Sequence, residues 1–299
     1  MRLSIRHQIT YGFEIPATAV VQTLRLTPRN YEGQHVVRWR LDVDRNCRLR
    51  SSEDAFGNLT HVFAAEGPIE TLTVLVEGEV DTMDNAGVVR STVERFPPAL
   101  YLRNTDLTAP DLDIGAYAQS VIADSPGDVL AQLHTLLAAL HEDMSYERGP
   151  RDSMTTAAET FRLKRGASHD LAHVFLVAAR HLGIPARYVS GYYRRDDEAE
   201  PANDGGHAWV EAHVPGLGWV GFDPSTGVST TDRHIRLASA LDYLGAAPIR
   251  GTHYGGGGET LDISAVVSDC QATRNYRRKV RSDPGPDTPA IGGQTQVQR

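Results

Sequence analysis

Apolar and polar positions alternate through much of the first hundred residues. Leu3, Ile5, His7 and Ile9 are separated by polar partners and lead into Tyr11. The run Val20–Leu26 ends at Pro28, and Val36–Val43 alternates again. Leu72–Val80 follows after the turn-forming Asp54-Ala55-Phe56-Gly57-Asn58. A period of two marks half-buried strands, and turn residues between such runs predict several short strands arranged as a β-sandwich over residues 1–105. This region carries no grouping of reactive residue types, so it reads as a packing or substrate-shaping module.

The period then lengthens. Pro97-Pro98 and the stretch 104–110 read as a linker. Ser125, Pro126 and Asp128 mark a helix start with proline at the first helical position. Val129, Leu130, Leu133, Leu136, Leu137 and Leu140 then recur at helical spacing. A second helix is predicted over Thr156–Arg165, closed by a left-handed Gly166. A third begins near Ser168 and places Leu171, Val174, Phe175, Ala178 and Leu182 on one face, with Gly183 and Pro185 ending it. Ala186–Tyr192 reads as a strand, Arg194–Gly206 as a polar loop, and Ala208–Val214 with Gly218–Phe222 as a hairpin. Residues 106–268 therefore form a second, mixed α+β region. Residues 269–299 are predicted to be a disordered tail, most clearly from Ser282, where periodicity is lost.

The 299 residues suffice for two domains, and 40% hydrophobic with 23% charged content suits a globular protein. A net charge of -8 argues against a broad surface for nucleic acid or anionic membrane. The one basic run, Tyr276–Arg281, sits in the tail. No stretch is long and apolar enough to span a bilayer, and the N-terminus lacks the apolar core of a signal peptide. A cytoplasmic location without membrane or nucleic-acid partners is the expectation. Cys47 and Cys270 are far apart, have no metal-ligand spacing, and are expected as reduced thiols.

Chemistry concentrates between Gly166 and Asp223. Ser168 opens a helix, His207 opens a strand, and Asp223 closes the next one. A nucleophile at a helix N-terminus sits in the positive potential of unpaired N–H groups, which also helps to hold an oxyanion. A histidine opposite it can take and return the proton, and an aspartate can fix the ring's tautomer and orientation. His207 and Asp223 lie on the two arms of the predicted hairpin.

These blocks resemble the transglutaminase-like core, a papain-type fold. Its bacterial members carry a motif close to Gly-Val-Cys-Gln-Asp-Phe-Ala-His, which here reads Gly166-Ala167-Ser168-His169-Asp170-Leu171-Ala172-His173. Leu182–Tyr192, His207–Glu211, Gly218–Pro224, His234-Ile235-Arg236, Asp242-Tyr243 and Pro248–Gly251 are similar to further family blocks. The first region, including Asp54–Asn58, resembles the bacterial N-terminal domain of that family. The resemblance covers roughly residues 1–268 and implies an α+β protein: an N-terminal β-sandwich followed by a papain-like core. It implies acyl transfer or amide hydrolysis on a peptide, protein or small amide, without a cofactor, through Ser168 as nucleophile, His207 as base and acid, and Asp223 as orienter. Serine replaces the family's cysteine, so three readings stand side by side: a working serine triad, an inactive relative that binds substrate in the same cleft, and an engineered cysteine-to-serine change.

Other residues invite a role. Trp209, His169 and Tyr146 are candidate substrate contacts, Tyr146 because the superfamily sometimes supplies an oxyanion partner there. Trp209 also suits a buried hairpin position. Glu211 follows His207 by four residues and offers either a second acid or an ion pair. His169 and His173 share the spacing of a zinc-protease pair, but no third ligand follows at a known spacing, so no metal site is assigned. Gly255–Gly258 lacks the surroundings of a phosphate loop and reads as a turn.

Overall fold

Long alternating runs need a partner for every backbone group, and this chain supplies one by pairing the segment Ile249–Asp269 with the segment Arg2–Leu24. The computed structural model describes residues 1–123, 125, 127–148, 154–195 and 206–270. The first region contains β1 (Arg2–Leu24), β2 (Gln34–Val43), β3 (Arg50–Glu53), β4 (Leu59–Thr82) and β5 (Val88–Val89). It is followed by α1 (Leu112–Ile122), α2 (Val129–Asp143), β6 (Ser145–Tyr146), α3 (Ala157–Leu163), β7 (Arg165–Gly166) and α4 (Ser168–His181). Then come β8 (Ala186–Tyr193), β9 (His207–Val214), β10 (Gly218–Asp223), β11 (Val228–Ser229), β12 (His234–Ala240), α5 (Tyr243–Ala246) and β13 (Ile249–Asp269). The architecture is α+β: a mixed region of helices and a six-stranded sheet follows the sheet-rich N-terminal region.

The N-terminal strands form one five-stranded sheet in the order β13-β1-β4-β2, with β3 on β4. Instead of several short strands, three strands of 21 to 24 residues run through it. Straight, 23 residues would reach about 76 Å, far more than a unit of this size with a radius of gyration of about 18 Å can hold. The strands must bend, and the register of β1 on β4 shifts between Gly12 and Ala17 and again by Ala19. Both halves then feed one apolar cluster, with Leu3, Ile5 and Ile9 from one half of β1 and Val20 and Leu24 from the other. Turn-type residues are absorbed as irregularities because pairing resumes on either side of them. Gly255–Gly258 is such a case: it lies inside β13, paired with β1, and not in a separate turn. Gly258 has a φ of 63°, and a Cβ there would collide with the Glu14 carboxylate.

The second sheet has the order β11-β10-β9-β8-β12, with β5 on β10. Leu133, Leu136, Leu137 and Leu140 of α2 and Val174, Phe175 and Ala178 of α4 pack with Ala208, Val210 and Ala212 of β9 in its core. The stretch read as a linker is tied down. Tyr101 is buried and meets Trp219 edge to face at 5.1 Å, while the Arg180 guanidinium donates to the Tyr101 carbonyl. The unexpected α1 starts at an aspartate cap, Asp111 Oδ1 accepting from the N–H groups of Asp113 and Ile114. The cap of α2 is Asp128, so the first helical residue is Val129, and Pro126 lies outside the described residues. The polar loop at 196–205, the basic run and the tail from 271 also lie outside them. Cys47 and Cys270 are free thiols.

Strand β12 is an edge of the second sheet, and two amide side chains from the first region complete it. Gln34 Nε2 donates to the Arg236 carbonyl, while its Oε1 accepts from the Arg236 N–H at 2.8 Å. Asn58 treats Ser239 the same way, at 2.9 and 2.8 Å. Each amide imitates one residue of a neighbouring strand and satisfies backbone groups that burial would leave orphaned. Asn58→Ala should lower stability by about 1–3 kcal/mol for each group left unpaired, read as a fall in the urea midpoint at constant slope.

His7 joins the two regions, its Nδ1 2.9 Å from Tyr192 Oη. Burial pushes the ring down to about 4, against about 6.5 in an unfolded chain. The neutral ring favours the fold, so its contribution is present above about 6.5 and is lost as pH falls from there towards 4. Chemical denaturation of His7→Gln at neutral pH and near pH 5 should show a weaker loss of stability on acidification than the wild type.

Candidate active site

Helix α3 opens with a reciprocal cap, Glu159 Oε2 accepting from the Thr156 N–H and Thr156 Oγ1 from the Glu159 N–H. It ends at Lys164, whose φ of 53° takes the left-handed position expected of Gly166. Gly166 is needed for another reason. A Cβ there would lie 2.6 Å from the Asp170 Cβ, so only glycine lets α4 begin this close. Asp170 Oδ2 reaches back to the Ala167 N–H at 2.9 Å. The cap residue of α4 is Ala167, whose side chain cannot accept from the first-turn N–H groups. Ser168 is therefore the first residue of a helix whose N-terminal field is not quenched by its cap side chain. It is buried, at 7% exposure.

Strand β9 packs against α4 and begins with His207. Its Nε2 lies 2.6 Å from Asp223 Oδ2 at the end of β10. Asp223 is fully buried and gathers three more donors. Ser225 gives its N–H at 3.0 Å and its hydroxyl at 2.7 Å to Oδ1, and His234 Nε2 sits 3.2 Å from Oδ2. Burial pushes this carboxyl up, but the charges and hydrogen bonds of His207 and His234 outweigh it and hold Asp223 well below the usual carboxylate range. With Nε2 turned to the carboxylate, His207 Nδ1 is buried and has no hydrogen-bond partner among the described residues. Ser168 and His207 are thus not hydrogen-bonded to each other, whereas His207 and Asp223 are.

Tyr146 pairs with Gly166 across the short β6–β7 bridge, two residues before Ser168. Its Oη accepts from Arg195 at 2.6 Å, and that guanidinium lies 5.9 Å from the Tyr193 ring. Tyr193 stacks on His207 at 5.0 Å. His169 is partly exposed, with Nε2 3.2 Å from Asp170 Oδ1 and its ring 5.3 Å from Tyr243. Trp209 is 2% exposed, lies over Gly191 and meets His234 edge-on at 5.2 Å. It is an internal wall beside His207 and His234 and not an open cleft surface.

His173 points elsewhere than His169: its Nε2 accepts from the Tyr243 N–H at 3.1 Å, and burial lowers it to about 3. An N–H in front of the lone pair leaves no room for zinc, so this pair is not a metal site. Among the described residues, His207, Asp223 and His234 have ligand atoms within 4.8 Å of one another. Their hydrogen bonds speak against a cation. His234 Nδ1 accepts from the Thr231 N–H at 3.1 Å, so its proton is on Nε2, the atom a metal would need bare.

Ser225, Tyr193 and His234 complete the site without being singled out by sequence reasoning. The Asp-Pro-Ser order of residues 223–225 is the signal for Ser225, because an aspartate commonly accepts from the N–H two residues on. His234 stands in a block resembling the family, but no local pattern ties it to Asp223.

Glu211 is not a second acid. It is fully buried between Arg187 Nε at 2.7 Å and Arg236 Nε at 2.8 Å. Burial favours its neutral form, yet the charges of Arg236 and Arg187 and their hydrogen bonds bring it down to about 2. The pairing contributes stability above the unfolded value of about 4.3, which is lost as pH falls towards 2. Glu211→Gln should cost about 3–5 kcal/mol by leaving buried guanidinium charge unbalanced, and urea titrations should show the deficit at neutral pH shrinking in acid.

Residues 115–224 match the transglutaminase-like superfamily core, and residues 3–81 match the bacterial transglutaminase-like N-terminal region. An uncharacterized protein of Mycobacterium leprae is 28% identical over 291 residues, covering 89% of this chain and 98% of its own length. A protein-glutamine gamma-glutamyltransferase of Pseudomonas aeruginosa is 31% identical over 153 residues, 45% of this chain and 23% of that protein. The solved structure of a candidate cysteine protease from Cytophaga hutchinsonii superposes with a TM-score of 0.71 at 20% identity. That match covers 90% of this chain and 91% of the other, a likeness of fold.

Proposed function

The chain carries a transglutaminase-like core joined to a bacterial transglutaminase-like N-terminal region, and from that premise we propose that Ser168, His207 and Asp223 form an acyl-transfer or amide-hydrolysis site. The observation that carries this reading is the His207–Asp223 pair at 2.6 Å, with the opposite ring nitrogen left open. In the first half-reaction, Ser168 Oγ attacks an amide carbonyl and its proton passes to His207 Nδ1. The C–N bond then breaks, the amine leaves with that proton, and an ester to Ser168 remains. Water or an amine, deprotonated by the same nitrogen, takes the acyl group and restores the serine. N–H groups of the first turn of α4 supply oxyanion stabilisation. The substrate class is a peptide, protein or small amide. A glutamine carboxamide is the first to test, because the Pseudomonas relative is named for gamma-glutamyl transfer. The chemistry calls on no cofactor.

One observation favours a second reading, in which the cleft binds an acyl or peptide group without turnover. Ser168 makes no hydrogen bond to His207, and a serine must lose its proton during attack, whereas a thiol can preform a thiolate–imidazolium pair. A shorter C–O bond also sets the hydroxyl back in a site shaped for sulfur.

Amide and ester probes with wild type, Ser168→Ala, His207→Ala and Ser168→Cys separate the two. The acyl-transfer reading expects measurable wild-type turnover that falls at least roughly 10²-fold in Ser168→Ala and His207→Ala. It also expects His207-dependent thiol alkylation in Ser168→Cys. Wild-type turnover no higher than that of Ser168→Ala, with saturable probe binding retained, supports the binding reading instead.

A further inference from the structure

The proposed reaction uses one imidazole, yet two converge on the same carboxylate oxygen. His207 Nε2 and His234 Nε2 lie 2.6 and 3.2 Å from Asp223 Oδ2. His234 comes from β12, on the other side of β8 from β9, and is 4% exposed. The Thr231 backbone N–H can only donate, so His234 Nδ1 can only accept, and the ring is neutral with its proton on Nε2. Burial lowers this ring, against the pull of Asp223, which keeps it neutral. Oδ2 thus receives two N–H donors, and Oδ1 receives both donors of Ser225.

We propose that His234 is a positioning residue for the triad, its Nε2–H holding Asp223 Oδ2 in line with His207 so that His207 keeps its proton on Nε2 and its lone pair on Nδ1. This rests on His207 acting as the base. A carboxylate with donors on both oxygens cannot rotate or exchange them without breaking hydrogen bonds to a charged group. The His207 ring is then held in one tautomer from one side, while Tyr193 stacks on its face. Other groups facing His234 do not replace its N–H. Tyr193 packs at 4.7 Å through its ring, and Trp209 presents its ring at 5.2 Å. Glu211, across a small shared cavity, is held by Arg187 and Arg236.

The test separates the donor from the bulk. His234→Phe keeps an aromatic ring beside Tyr193 and Trp209 but removes the N–H, and His234→Gln restores an N–H donor. The readout is NMR of 15N-histidine-labelled protein near neutral pH, with thermal unfolding to check that each variant is folded. In the wild type, His234 should show the neutral Nε2–H tautomer, and His207 a deshielded Nε2 proton protected from water. That His207 proton signal should be lost or exchange-broadened in His234→Phe and retained in His234→Gln. Retention in a folded His234→Phe, or loss in a folded His234→Gln, would overturn the proposal. If His234→Phe does not fold, the wild type and His234→Gln still decide: a His234 protonated on Nδ1 refutes the assignment. No measurement requires turnover, so an inactive wild type would sink the acyl-transfer reading and with it the catalytic purpose of the positioning, while the hold of the His234 N–H on the His207 tautomer would still stand or fall by the NMR.

Discussion

A buried carboxylate organises this molecule's candidate chemistry. Asp223 is out of water, so its charge persists only because four donors meet it. They come from β9, from the turn after β10 and from the start of β12. An ion desolvated in this way is costly when unpaired and rigid when fully paired. The same constraint explains why the local backbone is so specific. The turn at Pro224 must return Ser225 to the carboxylate, and the chain before β12 must aim the Thr231 N–H at the far side of His234.

A second buried charge cluster braces the sheet behind the site. Glu211 sits four residues after His207 on β9, clamped by arginines from the strands β8 and β12. Arg187 also reaches Glu94, in the segment leading from the N-terminal sheet to the helices, and lies 4.1 Å over the Trp219 ring. The N-terminal region does more than cover a face. Through Gln34 and Asn58 it finishes the edge of β12, the strand that opens with His234. A change in that interface therefore bears on the site through ordinary backbone hydrogen bonding, with no separate signalling path required.

The serine at 168 sets the chemical problem. In the proposed reaction the helix start at Ser168 supplies positive potential for an oxyanion, whether the nucleophile is oxygen or sulfur. Potential alone does not ionise a hydroxyl. In the proposed reaction the base must take the proton during attack, so the alignment of His207 would matter more for serine than for a thiolate. That reading places weight on the His207–Asp223 hydrogen bond and on the donors that hold Asp223 still.

Much of this was legible from residue order. Helical spacing located α2 and α4, the three separated blocks around Ser168, His207 and Asp223 pointed to a transglutaminase-like core, and the β-rich character of the first region followed from alternation. These features are local, or repeat in a fixed pattern, so a linear string carries them. Strand length and partners were not legible. Gly255–Gly258 looks like a turn until its pairing with β1 is seen, and the register shifts of β1 between Gly12 and Ala19 exist only against its neighbouring strands. The return of β13 to β1, the Gln34 and Asn58 edge caps, the burial of Trp209, the pairing of Glu211 and the approach of His234 to Asp223 are likewise contacts between distant segments. Composition and periodicity determined which segments would be buried; only the folded chain decided which buried polar groups meet, because desolvated donors and acceptors must find partners in space and not in sequence.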